Sequence, residues 1–259
     1  MPTSARVVKI KTIGGLQADA LLSAAILIAL WKLGALGMGK EIILPAPERV
    51  VVVFTGLLAT PRFIEAIGST AMRSLAAFLI AMLAGSAAGF FSGISPRFRA
   101  MLSPPLTVLR ATPVLAIILL AMIWFPAGVV PVFSALVMSF PVVSEHMAAG
   151  VRSVDKRLVD MARSFGASPL DIARSIRVPS AMPHVLAAAR SALGLSWKVV
   201  IAGEVLSQPA RAIGTGMQEA RLVLETAEVF AWALAGILLC AAGDVLFNIV
   251  TKRYLWPTR

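Results

Sequence analysis

Long runs of apolar residues constrain the fold of this chain more than any other feature of its sequence. Only 14% of the 259 residues are charged while 58% are hydrophobic, and the mean hydropathy is +0.86. A soluble domain carries about a quarter charged residues, so runs of this kind indicate a protein embedded in a bilayer. We predict an all-α integral membrane protein with six transmembrane helices. The predicted spans cover residues 18–36, 70–93, 104–125, 129–147, 184–207 and 229–250.

The positive charge is concentrated in the segments between these runs. A net charge of +11 could indicate a nucleic-acid partner, but the basic clusters have few aromatic neighbours. Sixteen of the 24 Lys and Arg fall in segments that a six-span layout places on one side, as the positive-inside rule requires of the cytoplasm. We therefore predict a multi-pass protein with a cytoplasmic N-terminal segment (1–17), a single membrane domain (18–250) and a cytoplasmic C-terminal tail (251–259). Residues 18–36 are expected to be an uncleaved first helix, and the single Cys240 excludes an intramolecular disulfide.

Small residues recur every fourth position along the second predicted span. The stripe consists of Ala77, Ala81, Gly85, Gly89 and Gly93. Small residues let helix backbones approach closely in lipid, where the hydrophobic effect supplies no drive between helices. We predict close packing of this stripe against a neighbouring helix or a second copy of the chain. An ordinary glycine-rich membrane helix is the alternative.

The polar, basic stretch from 151 to 183 interrupts the apolar pattern and divides into two short predicted helices. Ser153 can cap the first helix, Asp155 lies in its positive first turn, and Gly166 can end it in the left-handed conformation. The second helix opens with Ser168-Pro169-Leu170-Asp171, which has the spacing of a capping box with proline at the first helical position. We expect it to end before Pro179, because proline disfavours helix in the residue that precedes it.

Each of these short helices carries one apolar face. The faces comprise Val154, Leu158, Met161 and Phe165 in the first helix, and Leu170, Ala173 and Ile176 in the second. We expect the stretch to be folded, with one face packed and the other free. The alternative is a basic cytoplasmic loop that only fixes the topology of the chain.

The same stretch resembles the cytoplasmic loop of binding-protein-dependent ABC importer permeases. That family has Glu-Ala-Ala, three residues, Gly, nine residues and Ile-x-Leu-Pro; here Asp160-Met161-Ala162, Gly166 and Ile176-Arg177-Val178-Pro179 stand at the same spacing. Asp160 replaces the family's Glu and Met161 its first Ala. The resemblance implies a type I permease whose loop docks a coupling helix on an ATPase subunit. The implied ATPase-coupling residues are Asp160, Met161, Ala162, Gly166, Ala167, Ser168, Ile176 and Pro179.

Other motifs are similar to the nitrate, sulfonate and taurine branch of that family. They are Leu44-Pro45-Ala46-Pro47, Leu109-Arg110-Ala111-Thr112-Pro113, Trp124-Phe125, Leu193-Gly194-Leu195-Ser196-Trp197, and Gly214-Thr215-Gly216, which resembles a Gly-Leu-Gly turn. Pro126 stands where the family has Gly, and Gly203 is inserted before Glu204. The resemblance implies a homodimeric permease in the bacterial inner membrane, served by two ATPase subunits and an extracytoplasmic binding protein. The implied solute is a small anion such as a sulfonate, taurine or nitrate, or a vitamin precursor.

Three ionisable residues in or near predicted spans are candidate pathway groups, because an intramembrane charge is costly unless it is paired or faces water. Lys198 and Glu204 lie inside the fifth span, and either can face a polar pathway or form a structural pair with another helix, such as Lys198 with Asp244. Arg110 lies near an inner helix end, where a salt bridge with Glu145 is the simpler explanation. His146 beside that acid is a poor metal site, and we predict no metal site.

The chain has no G-x-x-x-x-G-K-[ST] phosphate loop, no nucleophile elbow and no H-E-x-x-H motif. We therefore expect no catalytic residue and no bound cofactor in this chain, with ATP and Mg²⁺ held by the partner ATPase. A secondary transporter or channel that works without ATP is the alternative, and a discontinuous helix at mid-membrane would favour it. A membrane-embedded enzyme is a third possibility, disfavoured by the absence of a convergent catalytic set.

Overall fold

The computed structural model describes residues 13–252, and every regular element in that range is helical. The predicted N-terminal segment and C-terminal tail lie mostly outside the described residues. The helices are α1 (Ile13–Met38), α2 (Pro47–Leu58), α3 (Pro61–Ile94), α4 (Pro96–Ala111), α5 (Val114–Trp124), α6 (Val130–Arg152), α7 (Lys156–Ser164), α8 (Pro169–Ile172), a π-helical segment (Ala173–Arg177), α9 (Val178–Ser207), α10 (Ile213–Leu222) and α11 (Thr226–Thr251).

Five of the described helices are long and apolar enough to cross a membrane, and the bent pair α4–α5 supplies a sixth crossing if it is counted as one span. The all-helical, multi-span prediction is therefore confirmed. The predicted span 104–125 is not one straight helix, because α4 and α5 meet at an angle of 100°. Pro113 forces Thr112 out of the helical region, to φ −75° and ψ 126°, and ends α4 there.

The helix α6 forms the centre of the fold, packed between α3 and α9. The small-residue stripe of α3 makes the first of these contacts. A Cβ atom built on Gly89 would stand 2.3 Å from the carbonyl oxygen of Ser144, and one on Gly93 would stand 2.5 Å from Cβ of Val151. The stripe therefore packs against a neighbouring helix of the same chain, so that only glycine fits at these points.

Several predicted span limits differ from the observed helices. The helix that contains span 70–93 begins nine residues earlier, at Pro61, where proline occupies a first-turn position. The fourth span was predicted to end at 147, but α6 continues to Arg152. The fifth span was predicted to start at 184, but α9 starts at Val178, within the predicted loop.

The first helix lies at the edge of the bundle. Its apolar side chains between 21 and 38 are mostly exposed, as suits a helix that faces lipid. Trp31 connects it to the rest of the chain by stacking on Phe230, at 5.5 Å between ring centroids, and by donating its indole N–H to the carbonyl of Pro45. The short helix α2, predicted as interfacial or packed, follows it and pairs Glu48 with Lys32.

Candidate functional site

The polar loop between α6 and α9 is built from two short helices with defined ends. Asp155 is the N-cap of α7, and its carboxylate accepts the backbone N–H of Arg157 at 2.8 Å. The predicted cap, Ser153, instead follows the end of α6 and donates its hydroxyl to the carbonyl of Gly150. That prediction was wrong because α6 runs further than expected and uses Ser153 at its own end.

The glycine at the end of α7 has the predicted role. Gly166 has φ +77°, in the left-handed region. Its N–H donates to the carbonyl of Arg163, and the N–H of Ala167 donates to the carbonyl of Ala162 at 3.0 Å. This pair of bonds is the Schellman motif, which ends a helix and turns the chain sharply.

The predicted capping box at the start of α8 is confirmed. The Asp171 N–H donates to Oγ of Ser168, and the Ser168 N–H donates to the Asp171 carboxylate at 3.1 Å. The Ser168 hydroxyl also donates to that carboxylate, and these hydrogen bonds hold the pKa of Asp171 below its usual value. The loop therefore has a fixed shape at both of its turns.

The second loop helix does not end before Pro179 as predicted. It passes through the π segment into α9, so residues 169 to 207 form one continuous helical rod. The N–H of Val178 bonds to the carbonyl of Ala173, five residues back. This wider turn lets Pro179, which has no N–H, enter the first turn of α9 without breaking the rod.

The face of the loop that packs is not the predicted apolar face. The buried loop residues are Val159 and Ile172, at 6% and 4% exposure. The predicted face is instead largely open: Leu158, Met161, Phe165 and Leu170 are 47%, 52%, 84% and 63% exposed. An exposed apolar patch in a basic loop indicates a surface that binds a partner, because burying apolar side chains of this size against a partner stabilises the complex. We call these four residues the loop patch.

The predicted coupling residues overlap with the loop patch: Met161 belongs to both sets, and the other residues lie in the same loop or in the first turn of α9. Asp160, Met161, Gly166, Ser168 and Pro179 are exposed, and Ala162, Ala167 and Ile176 are half-buried. The Asp160 carboxylate lies 3.7 Å from the guanidinium of Arg163, and both side chains are more than half exposed. The sequence pattern did not single out Leu158, Phe165 and Leu170 as contact residues, although their apolar spacing on α7 and α8 carried the signal.

The candidate pathway residue Glu204 lies in a buried network. Its side chain is 0% exposed, and its carboxylate accepts a hydrogen bond from Arg73 at 2.9 Å and one from the Thr70 hydroxyl at 2.9–3.0 Å. The Gly214 N–H also points to it, at 3.3 Å. Arg73 reaches further, to the carbonyls of Ala210 and Arg211. The network joins α3, α9 and the start of α10, so Glu204 connects these three helices at the C-terminal end of α9. Sequence reasoning missed Thr70 and Arg73 as its partners, because they lie 134 and 131 residues away along the chain.

The segment Gly214-Thr215-Gly216 does not form a loop turn between helices. It lies in the buried first helical turn of α10. A Cβ on Gly214 would stand 2.6 Å from Cβ of Glu204, and one on Gly216 would stand 2.3 Å from the Trp232 ring. These two glycines let α10 lie directly on α9 and α11. The inserted Gly203 similarly allows contact with Pro131, whose Cα lies 2.9 Å from a built Cβ.

The two remaining candidate pathway residues, Arg110 and Lys198, have different surroundings. Arg110 donates to Glu145 at 2.7 Å, which confirms the predicted salt bridge. Lys198 is exposed, and the ion pairs among residues 13–252 do not include one between Lys198 and Asp244. Its charge therefore lies on an exposed part of α9, on the side of Cys240 and Asp244 of α11.

Comparisons with known proteins agree with this architecture. The family of inner membrane components of binding-protein-dependent transport systems matches residues 77–256. Among curated proteins, the chain is 30% identical over 235 residues to the protein of Bacillus subtilis named as an aliphatic sulfonates transport permease, SsuC, covering 90% of this chain and 80% of that protein. It is 29% identical over 227 residues to the taurine transport system permease protein TauC of Escherichia coli, covering 84% and 80%.

Solved structures show the same fold. An amino acid ABC transporter with histidines superposes with a TM-score of 0.64 at 21% identity, covering 77% of this chain and 97% of that one. The methionine transporter MetNI in an inward-facing conformation superposes with a TM-score of 0.59 at 15% identity, covering 73% and 96%. The chain thus belongs to the binding-protein-dependent transport system inner membrane components and is a permease of the ABC importer class.

Proposed function

We propose that this permease carries a small sulfonate-type anion, such as taurine or an alkanesulfonate, across the bacterial inner membrane. The proposal rests on the relatives at about 30% identity whose names specify sulfonates and taurine. The observation that carries the mechanism is the loop patch, an apolar surface left uncovered at the tip of a basic loop. An ATPase subunit that supplies a groove for this patch would bind ATP and Mg²⁺, for which this sequence has no phosphate loop.

The loop patch offers exposed apolar side chains that would anchor a partner. Phe165 directly follows the last residue of α7 and Leu170 lies in α8, and burial of each side chain contributes about 1.5–3 kcal/mol. The Schellman turn at Gly166 and the capping box at Ser168 hold these helices in one arrangement before the partner binds. Preorganisation of this kind lowers the entropy cost of association. Asp160, exposed beside the patch, would give the contact its charge specificity.

The connection of the loop to the membrane helices supports a mechanical role. From Pro169 the chain runs as one rod into α9, and the loop begins directly where α6 ends. A displacement of the loop by the ATPase would therefore move two of the three helices at the centre of the bundle. ATP shifts such an equilibrium only if it binds the closed ATPase pair more tightly than the open pair. The spans would then alternate between inward-open and outward-open states.

The assembly we propose has two copies of this chain, two ATPase subunits at the loops and an extracytoplasmic binding protein on the opposite face. The exposed charge of Lys198 on α9 fits a helix covered by a second permease copy or by the polar pathway between copies. The loop and both termini would face the cytoplasm. The positive charge of the loop segments supports this orientation.

Reconstitution tests the proposal. The chain is placed in proteoliposomes with its ATPase and binding protein, and uptake of labelled taurine and of an alkanesulfonate is measured with ATP or with a non-hydrolysable analogue inside. We expect uptake of at least one of the two that requires ATP hydrolysis and the binding protein. ATP-dependent uptake of neither, when a wider solute panel gives a positive signal, would overturn the sulfonate assignment alone.

One observation favours an ATP-independent transporter as the second candidate. The 100° break between α4 and α5 is a discontinuous helix pair of the kind that forms ion sites in secondary transporters, and Arg110 lies two residues before it. Arg110 is neutralised there by Glu145, which argues for a structural role. Uptake driven by a proton or sodium gradient in liposomes that contain this chain alone would favour the second candidate.

A further inference from the structure

A second charged feature lies apart from the loop patch and the Glu204 network. At the end of the bundle where α3 and α6 finish and α4 begins, the three helices enclose a pocket of about 350 Å³. Its polar lining comprises Ser92, Arg99, Ser103, Ser144, Glu145 and Arg152. Because Arg152 is the last residue of α6, this pocket lies at the base of the loop.

The pocket carries an excess of positive charge. Its one carboxylate, Glu145, already accepts the guanidinium of Arg110 at 2.7 Å. The ion pairs found among residues 13–252 include none for Arg99 or Arg152. With these three arginines and one acid, the local charge is 3 − 1, or +2. Two guanidiniums without an ion pair that line one cavity, whose single acid is already paired with Arg110, favour an anionic guest.

A buried hydroxyl provides independent support for a guest. Ser144 is 1% exposed, lines the pocket, and its Oγ has no hydrogen-bond partner in the described part of the chain. Leaving a buried hydroxyl unpaired costs free energy, so such groups normally have a partner. The Ser144 hydroxyl is therefore an unpaired donor in a residue that lines the same cavity as two guanidiniums without an ion pair.

We propose that this pocket binds a tetrahedral oxyanion group, a sulfonate, sulfate or phosphate, between Arg99, Arg152 and the Ser144 hydroxyl. Two sources supply this chemistry: the free anion in solution, which under the proposed function includes transported sulfonate, and the phosphate of an anionic phospholipid headgroup, which phosphatidylcholine does not supply. The Glu145 carboxylate does not repel the guest strongly, because Arg110 compensates its charge. The planar guanidinium groups match two oxygens of such an anion at once.

Because of the position of the pocket, a bound anion would restrict the movement of the loop relative to α4. Arg99 belongs to α4 and Arg152 to the end of α6, one residue before the loop begins. An anion held by both would tie α4 to the base of the loop and stabilise the arrangement described here. Where the free anion is the guest, accumulated product would slow the ATP-driven cycle. This last step depends on the proposed function, whereas binding itself does not.

Binding is tested on the full-length chain in nanodiscs of neutral phosphatidylcholine, with inorganic sulfate as the probe and calorimetry as the readout. We expect saturable binding that weakens roughly tenfold in Arg99→Gln and in Arg152→Gln, the loss of one charge-assisted hydrogen bond each, and less in Ser144→Ala. Arg97→Gln is the matched control, because Arg97 lies on the same turn of α4 but outside the pocket lining. The Ser144 variant removes a hydroxyl without a partner, so it should fold normally.

Nanodiscs that contain phosphatidylglycerol separate the two sources. If a lipid headgroup is the natural guest, sulfate binding weakens there and returns in phosphatidylcholine; if the free anion is the guest, both bilayers give the same affinity. Absence of sulfate binding in phosphatidylcholine, or equal affinities in the Arg97 and Arg152 variants, would overturn the proposal. Transport assays remain separate: sulfate binding without any ATP-driven uptake would reject the proposed function and leave this pocket assigned.

Discussion

At the scale of single residues, Glu204 shows how one buried charge organises an end of the bundle. Its carboxylate accepts from Arg73, Thr70 and the backbone of Gly214, so no oxygen is left without a donor. A buried ion pair contributes little net stability compared with apolar packing, but removal of one partner leaves an uncompensated charge. The network therefore constrains where α10 can lie more than it strengthens the fold.

Replacement of Arg73 tests this network. We expect Arg73→Ala to lower the free energy of unfolding by about 3–5 kcal/mol, because Glu204 stays buried without its cation. Arg62→Ala is the control on the same helix, since Arg62 pairs with Glu219 at an exposed position and should cost less than about 1 kcal/mol. Denaturant unfolding in detergent measures both. Equal losses would show that burial of Glu204 does not decide the effect.

Two glycines of α3 give a comparison with opposite signs. Gly89→Ala should destabilise the protein by about 1–3 kcal/mol, because its Cβ would meet the Ser144 carbonyl at 2.3 Å and push α3 from α6. Gly68→Ala should be neutral or stabilising by up to about 1 kcal/mol, because the site is open and alanine favours helix. Thermal unfolding of the two variants measures both changes in stability. Equal destabilisation at both positions would contradict close packing of the stripe.

At the scale of elements, α7 and α8 are short helices that depend on their ends. Neither could be stable alone at nine and four residues. The Asp155 cap, the Schellman turn and the capping box supply the missing backbone partners, and Val159 and Ile172 fix the pair to the bundle. The loop patch is therefore presented on a rigid support, as a docking surface requires.

The loop patch should carry most of the affinity for the ATPase. We expect Phe165→Ala to weaken ATPase binding by about 2–4 kcal/mol, the range of a central apolar anchor, with the permease fold intact because Phe165 is 84% exposed. Leu222→Ala, at a similarly exposed leucine of α10, is the control and should leave binding unchanged. Surface plasmon resonance with immobilised permease measures both. Wild-type affinity of the Phe165 variant would remove the patch from the contact.

The exposed acid beside the patch permits a graded test. Asp160→Lys should weaken substrate-stimulated ATP hydrolysis in the assembled complex by reversing a charge at the contact, and Asp160→Asn should lie between it and the wild type. The effect should diminish at high salt, because exposed charges are screened. Normal stimulation in the lysine variant would exclude the electrostatic role assigned to Asp160.

At the scale of the whole molecule, local patterns were predicted well, and of the long-range ion pairs the Arg110–Glu145 salt bridge was predicted while the Arg73–Glu204 pair was not. The Gly166 turn and the Ser168–Asp171 box depend on neighbours within five residues, so the sequence contains all of their determinants. The pair Arg73–Glu204 joins residues 131 apart, and nothing in the local sequence of either residue names the other. The apolar face of the loop was recognised, but amphipathic spacing cannot tell whether the chain itself or a partner covers that face.

Proline had different effects at three positions, and the local sequence alone did not predict which effect would occur at each one. Pro113 bends a predicted span by 100°, Pro179 enters α9 after a π turn, and Pro61 starts α3 early. The rule for proline is the same in each case, but the outcome depends on whether neighbouring helices hold the chain straight. The number of membrane spans was therefore more predictable than the limits of the helices.

The side of the membrane on which the loop lies tests the account most directly. A single cysteine is introduced as Phe165→Cys in a Cys240→Ser background, and a membrane-impermeant maleimide is applied to intact spheroplasts and to inside-out vesicles. The account predicts labelling in the vesicles, protection there by bound ATPase, and none in the spheroplasts. Labelling of intact spheroplasts would place the loop outside the cell and contradict a permease driven from the cytoplasm.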